Sequence, residues 1–304
     1  MSMDSAAVSS AVSSSATEGW LALVIGNTRL HWGYFEGDRL LATWHTPHLE
    51  RDLARRVQSS SFDRDSWQRI PGLVYSEVAG ESSGLEKPTS LSPRSLWIAS
   101  VVPAQTPLWA NQRSSDGEKT HQVPAFVVER SRIPLQNIYP TLGVDRAINL
   151  LGAGYSLGWP VLVIDAGTAL TFTAGENNAV LGGAILPGMR LQARMLAQKT
   201  ADLPLVEDWL LVKQPALPER WAATTDGAIA SGLTYGVLST LRDYLASWWQ
   251  QFPTGNAVLT GGDGPALHAL LQQKTPEIAS RVHIDSNLMF AGIQRYRKGA
   301  MLLL

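Results

Sequence analysis

The sequence predicts an α/β fold in which one module of strands and helices occurs twice. An apolar strand that ends in a short polar turn spans residues 20–28, and the same pattern returns at residues 160–168. In both copies two further strands follow the turn, and a second tight turn separates them. Helical and strand patterns then alternate, which is typical of sheets covered by helices.

The first module contains five predicted strands and one predicted helix. The strands are Trp20–Ile25, Leu30–Phe35, Leu40–Trp44, Leu96–Val102 and Ala125–Val128, and the helix is Leu49–Val57. Residues 58–93 are rich in serine, glycine and charge and show weak periodicity. We therefore expect a partly irregular segment there.

The second module repeats the order of the first with longer helices. Its predicted strands are Pro160–Ile164, Leu170–Thr173, Val180–Leu186, Ala257–Thr260 and Val282–Asp285. Its predicted helices are Gly143–Tyr155, Met189–Gln198, Asp226–Gln250 and Leu288–Lys298. The periodic apolar residues of these segments favour helices packed on a sheet.

This duplicated plan is that of the actin-like (ribonuclease H-like) fold of ATPases and sugar kinases, in which two α/β domains flank a nucleotide cleft. In that fold the two polar turns face each other and hold the phosphates. We predict a disordered Ser/Ala-rich leader over residues 1–19. The N-terminal domain is predicted over residues 20–142, and the C-terminal domain over residues 143–304.

The composition argues against nucleic acids and membranes as binding partners. The 304 residues carry a formal net charge of −1, with 45% hydrophobic and 17% charged residues, which gives no basic surface for nucleic acid. No apolar run approaches the roughly 20 residues that span a bilayer. The absence of cysteine excludes disulfides and thiolate chemistry. We expect a cytoplasmic protein that binds neither nucleic acid nor membrane.

The first polar turn, Gly26-Asn27-Thr28-Arg29, is a candidate phosphate site. A glycine allows the backbone to approach a phosphate closely, and turn amides and a threonine hydroxyl can donate to its oxygens. Gly-Asn is also a common pair in simple hairpin turns. The motif alone therefore leaves both interpretations open.

The second polar turn, Asp165-Ala166-Gly167-Thr168-Ala169, stands at the equivalent place of the second module. A carboxylate that closes a buried strand is costly unless it binds something, and a cation or a metal-bound phosphate is its natural partner. Alternatively, Asp165 caps its own turn. The match between two turns at equivalent positions favours the functional interpretation.

The third motif runs from Tyr139 to Arg146 and places Asp145 at a predicted helix start. Asp145 can align a substrate hydroxyl, or it can simply stabilise the helix dipole. We expect the helix start to lower the pKa of Asp145 and make it a weak base. Phosphoryl transfer tolerates a weak base because positioning and charge neutralisation supply most of the catalysis.

The fourth motif, Gly261-Gly262-Asp263-Gly264, follows a strand and precedes a helix. Such glycines let a flat adenine lie against the backbone. A plain strand-to-helix turn is the alternative, and the pattern does not decide between them.

Together these motifs resemble the type III pantothenate kinase family over residues 20–295. The family carries Asp-x-Gly-Asn-Thr, Tyr-x-Pro, Leu-Gly-x-Asp-Arg and Asp-x-Gly-Thr-Ala in that order. The corresponding residues here are Gly26-Asn27-Thr28, Tyr139, Leu142-Gly143, Asp145-Arg146, Asp165, Gly167-Thr168-Ala169, Gly182–Gly188, Thr200-Ala201, Leu203-Pro204, Thr225, Ala228, Ser231-Gly232 and Gly261–Gly264.

The resemblance implies a homodimeric actin-like kinase that phosphorylates pantothenate with ATP and Mg²⁺. It implies Asp145 as the catalytic base, and Tyr139, Gly143 and Arg146 in the pantothenate pocket. It further implies that Thr225 reaches that pocket from the partner subunit. Asp165 would hold a monovalent cation, K⁺ or NH₄⁺. The implied ATP-binding residues are Gly26, Asn27, Thr28, Gly167, Thr168, Gly261 and Gly262.

The sequence departs from the family pattern at the first carboxylate. The family has aspartate where this chain has Val24, and alignment of the two internal turns also pairs Val24 with Asp165. Loss of that carboxylate should weaken the positioning of metal-bound phosphates. The nearest upstream acid, Glu18, precedes the strand and cannot take the same role without a register change. Thr224 is a second departure, where the family usually has asparagine.

Three hypotheses follow from this pattern. The first is an active pantothenate kinase that tolerates Val24. The second is a degenerate relative that acts as a binding or regulatory protein, which Val24 favours and the remaining motifs oppose. The third is an actin-like kinase with another substrate, which the fold alone allows and the segment from Tyr139 to Arg146 opposes.

Overall fold

The structure is a computed structural model that describes residues 18–76, 91–110, 123–207 and 215–301. The predicted leader lies outside these ranges apart from Glu18 and Gly19. The second half of the segment that was predicted to be partly irregular, residues 77–90, also lies outside them.

The first module forms a six-stranded sheet. Its strands are β1 (Gly19–Ile25), β2 (Leu30–Glu36), β3 (Arg39–Thr46), β4 (Val74–Ser76), β5 (Leu96–Ser100) and β6 (Ala125–Val127). Their order across the sheet is β4-β3-β2-β1-β5-β6. The hairpins β1–β2–β3 are antiparallel, whereas β5 pairs with β1 and β6 pairs with β5 in parallel.

The second module forms a five-stranded sheet of the same topology. Its strands are β7 (Val161–Ala166), β8 (Ala169–Glu176), β9 (Ala179–Pro187), β10 (Asn256–Thr260) and β11 (Val282–Ile284). The order β9-β8-β7-β10-β11 matches β3-β2-β1-β5-β6, with β4 as the extra edge strand of the first sheet. The predicted duplicated, actin-like α/β fold is confirmed.

Two helices fill the space between the sheets. The helices of the described chain are α1 (Arg51–Ser59), α2 (Arg64–Gln68), α3 (Pro107–Ala110), α4 (Val144–Leu157), α5 (Met189–Lys199), α6 (Thr225–Gln251), α7 (Gly264–Lys274), α8 (Pro276–Ala279) and α9 (Leu288–Met301). One core cluster joins Ala22 of the first sheet to Val163 of the second through Ile148 of α4 and Ile293 of α9.

Helices α4 and α9 cross at a pair of glycines. A Cβ atom on Gly152 would lie 2.8 Å from the backbone nitrogen of Gly292. A side chain at either position would push the helices apart, because their backbones touch at the crossing. The N-terminus of α4 lies against β8, where Arg146 donates to the carbonyl of Phe172. The proposed division into domains at residues 142 and 143 stays a prediction.

The segment after α1 is more regular than the sequence predicted. It contains α2 and the edge strand β4, and α2 buries Trp67 edge-on against Trp32 with ring centroids 4.8 Å apart. Trp109 packs on Trp32 in the same way at 4.9 Å. A helix of five residues is too short to show a period in the sequence, and burial of the aromatic ring stabilises it instead. Among the described helices, none is both long and apolar enough to cross a membrane.

Candidate active site

The two polar turns meet at the open edge of the two sheets. Thr28 Oγ1 and Thr168 Oγ1 lie 2.9 Å apart, and both side chains are exposed. Each turn is closed by its own backbone, with Gly26 N donating to Arg29 O at 3.1 Å and Gly167 N donating to Ala169 O at 3.0 Å. The turns therefore bring two hydroxyl groups to one place, where a bound phosphate would accept from both.

Val24 and Asp165 occupy equivalent places in the two sheets. Val24 pairs with His31 across β1 and β2, and Asp165 pairs with Thr171 across β7 and β8. Each is the second-last residue of its strand before the turn. Val24 is only 3% exposed and lies in the core, so the first turn lacks a carboxylate at this position.

Glu18 does not replace the missing carboxylate. It precedes β1 at the strand end opposite the turn, and its carboxylate lies 4.0 Å from the guanidinium of Arg297 in α9. The ion pair holds α9 at the far end of the sheet, well separated along β1 from Val24.

Asp165 is a carboxylate in a desolvated environment. Its pKa is raised to about 7, mainly by burial and also by the nearby negative charge of Asp145, while a hydrogen bond from Asn149 opposes the rise. That bond runs from Asn149 Nδ2 to Asp165 Oδ2 at 3.0 Å. Gly261, with φ of +86°, brings its backbone so close that a Cβ atom would collide with Asp165 Oδ1. The carboxylate is thus held in one orientation.

Asp145 begins α4 and accepts a hydrogen bond from the backbone of Arg146 at 2.8 Å. The expected lowering of its pKa is wrong: burial raises the pKa of Asp145, and the hydrogen bond and charge of Arg146 only partly oppose this. Desolvation therefore changes the pKa of Asp145 more than the position at the helix start does. A carboxylate with a raised pKa is a stronger base than an ordinary aspartate, which suits proton removal from a hydroxyl.

Gly143 is needed beside Asp145. It caps α4, and a Cβ atom at this position would collide with Asp145 Oδ1. Any other residue would displace the carboxylate. The predicted role of Gly143 in a substrate pocket thus has a steric basis next to the candidate base.

Arg146 is a buried anchor for the pocket wall. Its guanidinium donates to Tyr139 Oη at 3.0 Å, to Thr173 Oγ1 at 3.0 Å and to the carbonyl of Phe172 at 2.9 Å. Tyr139 is 37% exposed, so its ring borders the open side. The structure brings Tyr139, Asp145 and Arg146 together. Arg146 holds Tyr139 against β8 through these hydrogen bonds, and the role of the three residues in substrate binding stays a prediction.

The glycine turn after β10 approaches the second polar turn. The backbone of Asp263 donates to Ala166 O at 2.9 Å, and the Asp263 carboxylate pairs with Arg190 of α5 at 3.1 Å. Burial raises the pKa of Asp263, while Arg190 lowers it. Gly262 has no heavy atom within 4 Å of an added Cβ. Gly261 and Gly262 therefore form the turn between β10 and α7, with open space over Gly262, and their role in ATP binding stays a prediction.

Thr225 is separate from this group in the single chain. It is exposed in the first turn of α6, whose N-cap Thr224 accepts a hydrogen bond from Gly227 N at 3.2 Å. Threonine at position 224 thus preserves a helix cap in place of the asparagine of the family pattern. The structure does not place Thr225 beside Asp145 within one chain.

The residues around Asp165 suit a cation with oxygen ligands. Asp165 supplies a carboxylate, and Asn149 Oδ1 is buried without a hydrogen-bond partner. Among the described residues, no group of three or more His, Asp or Glu side chains is arranged to hold a metal ion. A metal ion here would therefore take further ligands from substrate phosphates or water.

Two residues of the site, Asn149 and Arg190, were missed in the sequence, whereas Asp263 belongs to the fourth motif. Asn149 follows Asp145 by four positions, which places both on one face of α4. This spacing was available as a signal. Arg190 and Asp263 pair across α5 and the glycine turn, and no local pattern predicts a contact between residues so distant in sequence.

Comparison with known proteins supports the assignment of the fold and identifies the family. The family described as "Type III pantothenate kinase" matches residues 20–247. The curated type III pantothenate kinases of Nostoc sp. and Thermosynechococcus vestitus are 42% and 40% identical. The first comparison covers 90% of this chain and 93% of the relative, and the second covers 93% and 92%.

A solved structure shares the fold at lower identity. A protein described as a conserved putative Baf family transcriptional activator from Campylobacter jejuni aligns with a TM-score of 0.54 and 19% identity, over 93% of this chain and 99% of that one. At this identity the likeness concerns the fold alone. The matched family and the curated relatives together decide the affiliation: this chain belongs to the type III pantothenate kinase family.

Proposed function

We propose that this protein transfers the terminal phosphoryl group of ATP to the hydroxyl group of pantothenate. The products are ADP and 4'-phosphopantothenate, and the reaction is the first step of coenzyme A biosynthesis. The observation that carries the proposal is the meeting of Thr28 and Thr168 at 2.9 Å, with Asp145 close enough to Asp165 for its charge to raise the pKa of Asp165.

The chemistry follows from the positions of these groups. The substrate hydroxyl oxygen bonds to the γ-phosphorus, the bond between that phosphorus and the β–γ bridging oxygen breaks, and Asp145 accepts the hydroxyl proton. The raised pKa of Asp145 favours this transfer. Gly143 leaves room for the carboxylate of Asp145, and Arg146 holds Tyr139 in place. The reaction therefore relies on the positions of these groups more than on the basicity of Asp145.

The nucleotide site is proposed to consist of the two turns and the glycine turn. Gly26, Asn27 and Thr28 face Gly167 and Thr168 across the cleft. Gly261 and Gly262 offer a flat backbone surface for adenine.

Members of a kinase family use ATP and a divalent metal ion, and we propose Mg²⁺ here. We also propose that Asp165 binds K⁺ or NH₄⁺. Its desolvated carboxylate and the unpaired Asn149 Oδ1 support a cation at this place. The cation neutralises a buried negative charge beside the phosphates.

We propose that the protein works as a cytoplasmic homodimer. Exposed apolar side chains occur on β9, on α5 and before α6, and they are Leu181, Ile185, Leu191, Met195, Leu205 and Trp221. Trp221 is 90% exposed and lies four residues before Thr225. Burial of this surface against a second copy would stabilise a dimer, and Thr225 would then reach the partner's substrate pocket.

Two alternatives are weaker. The degenerate, regulatory alternative rests on Val24 alone, and neither the family match nor the curated relatives support it. An actin-like kinase with another substrate is disfavoured because the group of Tyr139, Asp145 and Arg146 is assembled as the family pattern requires.

The product identifies the activity directly. Incubation with pantothenate and ATP should give a product that is heavier by one phosphoryl group in mass spectrometry and carries a monoester signal in ³¹P NMR. A hexose and acetate, which are substrates of other kinases, serve as controls. Phosphorylation of a control and not of pantothenate would support the third hypothesis instead.

A further inference from the structure

Three aligned residues cross the first sheet beside the first phosphate turn. Val24 pairs with His31 between β1 and β2, and His31 pairs with His45 between β2 and β3. Directly paired residues of antiparallel strands point to the same face of the sheet. The two imidazole rings are indeed neighbours, with centroids 6.1 Å apart. Two histidines thus lie next to the position at which this chain lacks a carboxylate.

The first turn and the second turn differ in charge. Arg29 is exposed in the first turn, and its positive charge, together with burial, lowers the pKa of both histidines. Burial is the larger cause, and the pKa of His31 falls to about 4. Both rings are therefore neutral at pH 7 and can donate an N–H. The carboxylates of the site, Asp145 and Asp165, both belong to the second module.

A third histidine supports the turn itself. His48 Nε2 lies 2.9 Å from the carbonyl oxygen of Gly26. This contact fixes the start of the turn, between β1 and the exposed residues Asn27 to Arg29. His48 thus holds the first turn, and His31 and His45 lie on the strands beside it.

We propose that Arg29, His31 and His45 form an anion subsite that binds the terminal phosphoryl oxygens of the nucleotide directly. This subsite takes the place of the carboxylate–metal contact that Val24 removes. The inference rests on the proposed function, because it assumes a nucleoside triphosphate as the ligand. It implies that the first turn binds the triphosphate through cationic and N–H donors, and that divalent metal binding is left to the second turn.

An anion explains the group better than a metal ion or a purely structural role. The guanidinium of Arg29 opposes a cation at the histidine pair and favours an anion. Two imidazoles are also fewer ligands than a stable metal site has. A structural pair would pack with apolar partners, as Phe35 does farther along β2, whereas both histidines remain partly accessible.

The test measures binding without turnover. Isothermal titration calorimetry gives the affinity for ATP, and for inorganic tripolyphosphate, in EDTA and in Mg²⁺. The variants are Arg29→Gln and His31→Leu, with His31→Asn as the variant that keeps a donor. His283→Gln, at an exposed histidine on the edge strand β11, is the matched control.

The parent protein should retain ATP binding in EDTA within about tenfold of its affinity in Mg²⁺. Arg29→Gln and His31→Leu should each weaken binding in EDTA by roughly tenfold or more, as expected for loss of a charge-assisted hydrogen bond. His31→Asn should recover part of the loss, and His283→Gln should match the parent. Because Arg29 is exposed, its variant tests the proposal even if His31→Leu fails to fold.

Two results would overturn the proposal. The first is an affinity in EDTA that Arg29→Gln and a folded His31→Leu both leave unchanged. The second is a parent protein that binds ATP only in Mg²⁺. Failure of the proposed function would look different: tripolyphosphate would bind through Arg29 and His31 while pantothenate received no phosphoryl group.

Discussion

The hydroxyl oxygens of Thr28 and Thr168 lie 2.9 Å apart although 140 residues separate them. Each follows the first strand of its module by a few residues, so the duplicated topology brings them together. One of the two hydroxyls must donate to the other when no phosphate is present. A bound phosphate would accept a hydrogen bond from each hydroxyl group, so both threonines should contribute to nucleotide binding.

Removal of these hydroxyls should weaken nucleotide binding. We expect Thr28→Val and Thr168→Val each to raise the dissociation constant of ATP by roughly tenfold, because each loses a hydrogen bond to a charged group. Thr240→Val on the exposed side of α6 is the control. Calorimetric titration with ATP provides the measurement. An unchanged affinity in both variants would show that the two turns do not bind the nucleotide.

Replacement of Asp145 by Asn should abolish turnover and leave the fold intact. We expect a loss of about 10²–10⁴-fold in kcat, the range of a general base. Circular dichroism and thermal unfolding should match the parent. A variant with a near-parental rate would contradict the assigned role.

The pH dependence of the parent reports on the same carboxylate. Burial raises the pKa of Asp145 above 3.8, so the protonated, inactive form persists to higher pH than in an ordinary aspartate. The rate should therefore rise with pH through that raised pKa. Measurement of kcat/KM against pH tests this, and an acidic limb near the ordinary value would contradict it.

The carboxylate of Asp165 should lower the free energy of unfolding at neutral pH in the absence of bound cations. Its folded pKa of about 7 lies above the ordinary 3.8. Stability from this group is therefore present below about pH 3.8 and is lost as pH rises towards 7. We expect Asp165→Asn to raise the unfolding free energy at pH 8 by roughly 2–4 kcal/mol, with little difference near pH 4.

A bound cation should remove the difference in unfolding free energy between the parent and Asp165→Asn. Addition of K⁺ should stabilise the parent and leave Asp165→Asn unaffected, because only the parent has the carboxylate. Thermal unfolding in KCl against choline chloride at equal ionic strength measures the effect. Equal stabilisation of both proteins would contradict a site for K⁺ at Asp165.

Arg146→Lys should release Tyr139 from the pocket wall. The three donors of a lysine ammonium sit on one nitrogen, so they cannot reach the three separate acceptors that the guanidinium binds through three nitrogens. We expect KM for pantothenate to rise more than tenfold and stability to fall by about 2–4 kcal/mol, since buried acceptors lose their donors. Tyr139→Phe should reproduce part of the KM effect without the stability loss. Steady-state kinetics and denaturant unfolding separate the two.

Val24→Asp should restore the family carboxylate at a cost in stability. The position is 3% exposed, so a charged side chain should lower the unfolding free energy by about 2–4 kcal/mol without ligand. Binding of Mg²⁺–ATP should tighten if the turn keeps its geometry. Unfolding with and without Mg²⁺–ATP tests both effects, and a folded variant with unchanged affinity would show that the site has been rebuilt around valine.

Much of the site was visible in the sequence because its motifs are local. Each polar turn follows a strand, and the internal repeat alone paired Val24 with Asp165. The contact of Arg190 with Asp263 could not be predicted, because it depends on how α5 and the glycine turn approach in space. The pKa of Asp145 was predicted with the wrong sign because the sequence shows the helix start and does not show the burial around it.

The segment after α1 illustrates a second limit. Its helix α2 has five residues and its strand β4 has three, and neither is long enough to show a period. Trp67 stabilises the segment through ring contacts with Trp32 of β2 and Trp44 of β3. Tertiary packing therefore determined this structure.

The most direct test of the central claim is ADP release from Mg²⁺–ATP, measured with and without pantothenate and with and without K⁺. We expect turnover that requires pantothenate and is stimulated by K⁺, despite Val24. A folded protein that binds pantothenate and releases no ADP under any of these conditions would contradict it and favour the regulatory alternative.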